Sequence, residues 1–252
     1  AGRTWQEVAG PPTEGAAAAA ESGVIQDVLT QGGDYPTSTV FRDQSHGWLT
    51  ATNHGDQPVP FYRSEDGGNH WTPVQLPLPD AALRGATLQH MTPESVYGDT
   101  YPPRFYGAEG REALLPVRLS DGVGRSLFIY RSHDGGETWQ PTADAGDVDP
   151  SSLVAPTPDI LWLLASRDGK EVVRRSSDGG RSWHTSSVPA LAVDAVSGGS
   201  DSVQTSAVVS YSLEATSADR AFLLVTGAAE SQLYATTDGG AHWQLVVTGA
   251  LR

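Results

Sequence analysis

The chain contains no cysteine, which removes disulfides, thiolate metal ligands and cysteine nucleophiles together. Lysine occurs once, at Lys170, and methionine once, at Met91. No apolar run approaches the roughly 18 residues that a transmembrane helix needs, so no membrane insertion is expected. The alanine run Ala16–Ala20 is short and follows no basic segment, so it does not read as a signal peptide. Positive charge is also scarce. Thirty acidic against 16 basic residues give a formal charge of −14. Such a surface is repelled by phosphate backbones and anionic lipid, which argues against nucleic-acid and membrane-surface roles. It suits a soluble exported protein, and an extracytoplasmic or secreted location is expected.

What the chain has in quantity is punctuation: 28 glycines and 17 prolines in 252 residues. That favours many short strands joined by turns over long helices. Four stretches then repeat one pattern: Ser64-Glu-Asp66-Gly-Gly68-Asn-His-Trp71, Ser132-His-Asp134-Gly-Gly136-Glu-Thr-Trp139, Ser176-Ser-Asp178-Gly-Gly180-Arg-Ser-Trp183 and Thr236-Thr-Asp238-Gly-Gly240-Ala-His-Trp243. All obey Ser/Thr-x-Asp-Gly-Gly-x-x-Trp. The opening Gly2-Arg3-Thr4-Trp5 fits the last four positions of the same pattern. The four aspartates lie 68, 44 and 60 residues apart, a spacing that suits a four-stranded propeller blade with variable loops.

The pattern has a local logic. Asp-Gly-Gly is a turn in which glycine supplies positive φ without steric cost. The carboxylate accepts amide hydrogen bonds from its own turn, and the Ser/Thr hydroxyl two residues earlier braces it. Tryptophan then opens the next strand as a large apolar anchor.

Strand-like runs precede each box at three offsets. The nearest are Val59–Tyr62, Leu127–Tyr130, Val172–Arg174 and Leu233-Tyr234. The middle set is Gly47–Leu49, Leu114–Val117, Leu161–Leu164 and Ala221–Val225. The earliest set is Thr39–Phe41, Arg104–Tyr106, Ser152–Val154 and Ala207–Val209. With the strand after each tryptophan, that makes four strands per box.

The sequence therefore resembles the BNR or Asp-box repeat superfamily. That superfamily includes sialidases, xyloglucan-type glycoside hydrolases, sortilin-like receptors and photosystem II assembly-factor-like propellers. The resemblance implies an all-β fold, a β-propeller of four-stranded antiparallel blades with Asp-box hairpins. Four complete blades are expected at about 36–78, 100–145, 150–190 and 203–250, in a single domain spanning 1–252. Residues 1–35, with a strand-like run at Gly23–Leu29, supply a partial or fifth blade. Either they complete a small ring, or the chain is a fragment of a longer propeller, which the start in mid-box favours. In this superfamily the boxes sit on the blade periphery, so they speak for fold and not for function.

Catalytic signatures are sparse. A sialidase needs an early Arg-Ile-Pro motif, and the nearest stretch, Pro103-Arg104-Phe105, does not match. Glycoside hydrolysis in general needs two carboxylates across one cleft. Acidic candidates outside the boxes are Asp43, Asp99, Glu109, Glu112, Asp121, Asp159, Glu214 and Asp219, and nothing pairs any two of them. There is no Gly-x-Ser-x-Gly elbow and no zinc-type histidine spacing. His70, His133 and His242 lie inside boxes, and His184 follows one.

No cofactor is expected, with one exception to test. Asp144, Asp147 and Asp149 fall within six residues and form the best local candidate for calcium. Two long connections interrupt the repeat, Pro77–Pro103 and Ala190–Thr205. In and just after the first, His90, Tyr97, Tyr101, Arg104 and Tyr106 form the candidate binding set, since aromatics beside arginine suit glycan or protein surfaces. The expected function is a non-catalytic extracytoplasmic propeller that binds a protein or glycan partner through rim or channel-mouth loops. A glycoside hydrolase and an assembly or stability scaffold are the alternatives.

Overall fold

A computed structural model describes residues 35–52, 59–84, 88, 90–93, 95–167, 170–189, 210–227 and 230–250. The half-box at Gly2–Trp5, the run Gly23–Leu29, the loop Ala190–Thr205 and the run Ala207–Val209 lie outside the described residues. Within them the chain is all-β apart from one 3-10 turn at Pro150–Ser152.

Four antiparallel sheets follow one another in chain order. The first holds β1 (Tyr35–Phe41), β2 (Gly47–Thr52), β3 (Phe61–Ser64) and β4 (Thr72–Pro73). The second holds β5 (Tyr97–Thr100), β6 (Arg104–Tyr106), β7 (Glu112–Ser120), β8 (Arg125–Ser132) and β9 (Gln140–Pro141), with β5 and β6 both pairing with β7. The third has only β10 (Leu161–Arg167), β11 (Lys170–Ser176) and β12 (His184–Ser187). The fourth has β13 (Ser210–Ala215), β14 (Ala221–Thr226), β15 (Glu230–Thr236) and β16 (Gln244–Ala250).

Strand alternation explains how the sheets stack. In β8, Phe128 and Tyr130 point into a core shared with Trp48 and Phe61 of the first sheet. Leu127 and Ile129 point the other way, onto Leu161 and Leu163 of the third. In β10, Trp162 turns from that core to the next, where it meets Leu213, Leu223 and Val225 of the fourth sheet. Each central sheet is thus apolar on both faces, as sheets buried on both sides must be.

Two expectations about strands need correction. Ser152–Val154 is not a strand. Asp149 caps the 3-10 turn by accepting from Ser151 N, Pro150 fills its first turn, and only an isolated bridge joins Val154 to Trp162. Pro150, Pro156 and Pro158 crowd this stretch, and each lacks the N–H a ladder requires. The second sheet also begins earlier than residue 100, because β5 pairs with β7 as well as Arg104–Tyr106. Gly98 permits that pairing, since a Cβ there would lie 2.5 Å from the Arg118 carbonyl oxygen.

Each Asp-Gly-Gly box joins the last two strands of its sheet: β3 to β4, β8 to β9, β11 to β12 and β15 to β16. In the third box, Ser176 Oγ donates to Asp178 Oδ1 at 2.7 Å and accepts Gly180 N at 2.8 Å. Asp178 also accepts Ser182 N at 2.9 Å and Ser182 Oγ at 2.6 Å. The same amide and hydroxyl bonds recur around Asp66, Asp134 and Asp238. Where the residue before tryptophan is histidine, its Nδ1 takes the hydroxyl's place, at 2.5 Å for His70 and 2.7 Å for His242. Loss of this bracing in Asp178→Ala is expected to cost about 1–3 kcal/mol. An unchanged urea midpoint for that variant would refute the bracing role.

The carboxyls are held low as a result. For Asp66 and Asp238 the following histidine's amide and ring bring the value to about 2. For Asp134, partial burial pushes upward, but the Thr138 hydroxyl and amide outweigh it, again giving about 2. An unfolded aspartate titrates near ~3.9. Because the folded values are the lower ones, this stabilisation is present above that pH and fades as pH falls towards the folded value. The melting temperature should therefore decline between about pH 4 and 2, and decline less in Asp134→Asn. Identical acid sensitivity in that variant would remove the box carboxylates as the cause.

The boxes are also clasped across the sheet seams. Arg42 of the first sheet donates to the Gly135 carbonyl at 2.7 Å, in the second box. Arg131 of the second sheet lies against Gly179 of the third box, held by Asp159 at 2.8 Å. Arg175 of the third lies against Gly239 of the fourth, near Asp219 at 3.5 Å. Arg63 completes the series with an ion pair to Glu137. Arg63, Arg131 and Arg175 each immediately precede a box Ser, and the equivalent fourth residue is Ala235.

Candidate functional site

The short third sheet shapes the main cavity. Where a first strand would pair with β10, the described residues supply only the 3-10 turn and the Val154 bridge. A cavity of about 680 Å³ opens beside it. Its walls come from three sheets: Arg104 of β6, Leu164–Ser166 of β10 with Glu171 of β11, and Tyr211–Glu214 of β13. Asp147, Asp149 and Ser151–Val154 close one side.

Its electrostatics are lopsided. Asp147, Asp149, Glu171 and Glu214 face one cation, Arg104. Asp147 is paired with Arg125 at 3.2 Å, and Asp149 caps the 3-10 turn. The Ser151 amide holds the Asp149 carboxyl below its ordinary range. Arg104 Nη2 donates to the Leu153 carbonyl at 2.8 Å. Partial burial raises the Tyr211 phenol, and the Glu171 carboxylate adds to the shift.

The candidate binding set does not gather at one point. Tyr97, Tyr101, Arg104 and Tyr106 are strung along one edge of β7, opposite or bonded to Ser120, Pro116, Leu114 and Glu112. Tyr106 donates to the Ala155 carbonyl at 3.0 Å, and burial raises its phenol. Arg118 lies 5.9 Å from the Tyr101 ring centre. His90 N donates to Asp121 Oδ2 at 3.0 Å, at the far end of β7 from Tyr106. Of this set only Arg104 reaches the cavity. On the connection that carries His90, Leu88, Met91 and Val96 are buried in the first seam.

The three loop aspartates diverge too. Asp144 accepts from Ser126 Oγ and from Gly146 N, while Asp147 and Asp149 have the partners already given. Among the described residues no group of three His, Asp or Glu side chains could hold a metal ion. Their sequence proximity misleads because each carboxylate serves a different turn or strand.

Most other acidic candidates are engaged locally. Asp43 pairs with Arg42 and His46, Asp99 with Arg118, Glu112 with Arg131 and His133, Asp159 with Arg131, and Asp219 with Arg175. Asp121 accepts the Gly124, Val123 and His90 amides, which lower its carboxyl. Glu109 lines a separate recess beside Phe41, and Glu214 lines the main cavity. Sequence reasoning missed Tyr211 and Glu171, for which Pro150, Pro156 and Pro158 around Ser152–Val154 were the available signal.

Comparison with known families places the stretch from Tyr130 in β8 to Pro141 in β9, which contains the second box. Residues 130–141 match the model of the BNR/Asp-box repeat. Comparison with curated proteins gives no match. Among solved structures, the GH74 xyloglucanase of Xanthomonas campestris is 18% identical, with a TM-score of 0.45, over 80% of this chain and 28% of its own. YCF48 bound to D1 peptide is 15% identical, with a TM-score of 0.38, over 86% of this chain and 82% of its own. A PL25 ulvan lyase is 12% identical, with a TM-score of 0.42, over 84% and 54% respectively. The chain thus spans little more than a quarter of the xyloglucanase. The Asp-box repeat and the succession of antiparallel sheets make the fold propeller-like.

Proposed function

We propose that the chain is a non-catalytic, extracytoplasmic β-propeller domain, with the described sheets as four of its blades, that binds a protein or glycan partner. One observation carries this reading: among the described residues the third sheet has no first strand, and beside it lies a 680 Å³ cavity with polar groups from three sheets. That size falls in the range of roughly 300–1,000 Å³ used for ligand recognition. The acidity of the chain fits a partner that is not nucleic acid.

The glycoside hydrolase reading has one observation in its favour, the several carboxylates around the same cavity. A retaining or inverting pair would stand about 5–10 Å apart across the scissile bond. Two measurements separate the readings. Turnover of any member of a chromogenic glycoside panel, lost in Glu214→Gln, would establish the enzyme. Amide NMR shifts confined to the cavity residues on adding a glycan or peptide panel, without turnover, are expected for a binding domain. No shift with either panel would end the binding reading.

A further inference from the structure

Resting on that binding reading, we infer that the cavity takes an extended peptide carrying a basic side chain, and that the peptide adds to the third sheet as its missing first strand.

The first argument is the open edge of β10. The bridge between Val154 and Trp162 consists of two main-chain bonds, Val154 N to Trp162 O at 2.9 Å and Trp162 N to Val154 O at 2.8 Å. Main-chain groups alternate sides along a strand, so Leu164 and Ser166 turn theirs to the same edge as Trp162. Residues 161, 163, 165 and 167 are left to bond with β11, consistent with their register opposite 176, 174, 172 and 170. Among the described residues the only bond to that edge beyond Trp162 is from Ser152 Oγ to the Leu164 carbonyl, at 3.2 Å. In the fourth sheet the corresponding edge is covered by six residues of β13.

The second argument is that the open edge faces room. Leu164–Ser166 form one wall of the 680 Å³ cavity. An unpaired strand edge beside a cavity is the geometry of recognition by strand addition, where main-chain bonds give affinity and side-chain positions give selectivity.

Charge sets the class of peptide. Asp147 and Asp149 are occupied by Arg125 and the turn amide. The carboxylates of Glu171 on β11 and Glu214 on β13 both line the cavity, and neither has a hydrogen bond or ion pair among the described residues. A lysine or arginine of the incoming strand would meet both. An acidic side chain would be repelled.

The test uses the whole chain and short synthetic peptides, followed by amide NMR. The probes are Ac-Thr-Val-Lys-Val-Thr-NH2, its glutamate analogue, and two N-methylated forms of the lysine peptide. One is methylated on the odd amides and the other on the even amides. A strand that pairs along one edge uses alternate amides. One methylated form should therefore bind at least about tenfold more weakly while the other keeps its affinity, and the glutamate peptide should lose about tenfold. Glu171→Gln combined with Glu214→Gln should erase the lysine preference. Equal binding by both methylated forms would overturn strand addition, and equal binding by lysine and glutamate peptides would overturn the charge assignment. If no peptide shifts the cavity amides but a glycan does, this inference falls and the binding reading stands. If neither does, both fall.

Discussion

Trp162→Ala is expected to lower unfolding stability by about 3–5 kcal/mol, the usual range for removing a fully buried aromatic side chain. The indole has no solvent exposure and fills the seam between the third and fourth sheets against Leu213, Leu223 and Val225. Its Nε1 donates to the Ser217 carbonyl at 3.1 Å, and Arg175 lies 5.7 Å from its ring. A Cβ on Gly240 would come within 3.4 Å of it. One side chain thus joins a core, a loop, an inter-sheet clasp and a box. Trp162→Phe keeps one aromatic ring in the seam but leaves the Ser217 carbonyl unpaired, and should cost less than the alanine variant. In repeat architectures each unit leans on its neighbours, so hydrogen exchange in Trp162→Ala should quicken first in β13–β15. A loss under about 1 kcal/mol by urea titration would contradict the packing account.

The boxes were legible in the sequence because their chemistry is local. Asp-Gly-Gly implies two residues of positive φ, and Gly135 and Gly136 have φ of 78° and 91°. The strands were legible where alternation was clean, as in β8 and β10. Ser152–Val154 was misread because its three residues resemble a strand, while the prolines around it and the Asp149 cap decide otherwise. That single difference creates the cavity. Its walls come from β6, β10, β11, β13 and the Asp147–Val154 connection, segments separated by up to about 110 residues of sequence between Arg104 and Glu214, so no local window contains it. The binding set is dispersed for the opposite reason. Tyr97 through Tyr106 are close in sequence, but an extended chain advances about 3.3 Å per residue, which spreads them along β7. The arginine clasp was present in the sequence at Arg63, Arg131 and Arg175. Its meaning depends on the neighbouring sheet, and so could not be read from one repeat.

That clasp yields the second large effect. Gly179→Ala is expected to destabilise by about 2–4 kcal/mol, from two separable causes. The first is backbone: Gly179 has φ of 70°, and a residue with a Cβ costs about 1–2 kcal/mol there. The second is steric: the new methyl would overlap Nη1 of Arg131 and lie 2.6 Å from its Cζ. Arg131 has little freedom to retreat. Its side chain is 7% exposed and is tied to Asp159 at 2.8 Å and Glu112 at 3.6 Å. The Pro158 carbonyl, 3.1 Å from the same Cβ position, closes the other side. A double-mutant cycle separates the causes. Arg131→Ala alone loses the packed stem and the ion pairs and should also destabilise. In that background, however, Gly179→Ala should cost only the backbone share, so the two changes should total at least about 1 kcal/mol less than their sum. Strict additivity would mean that Arg131 does not press on the third box.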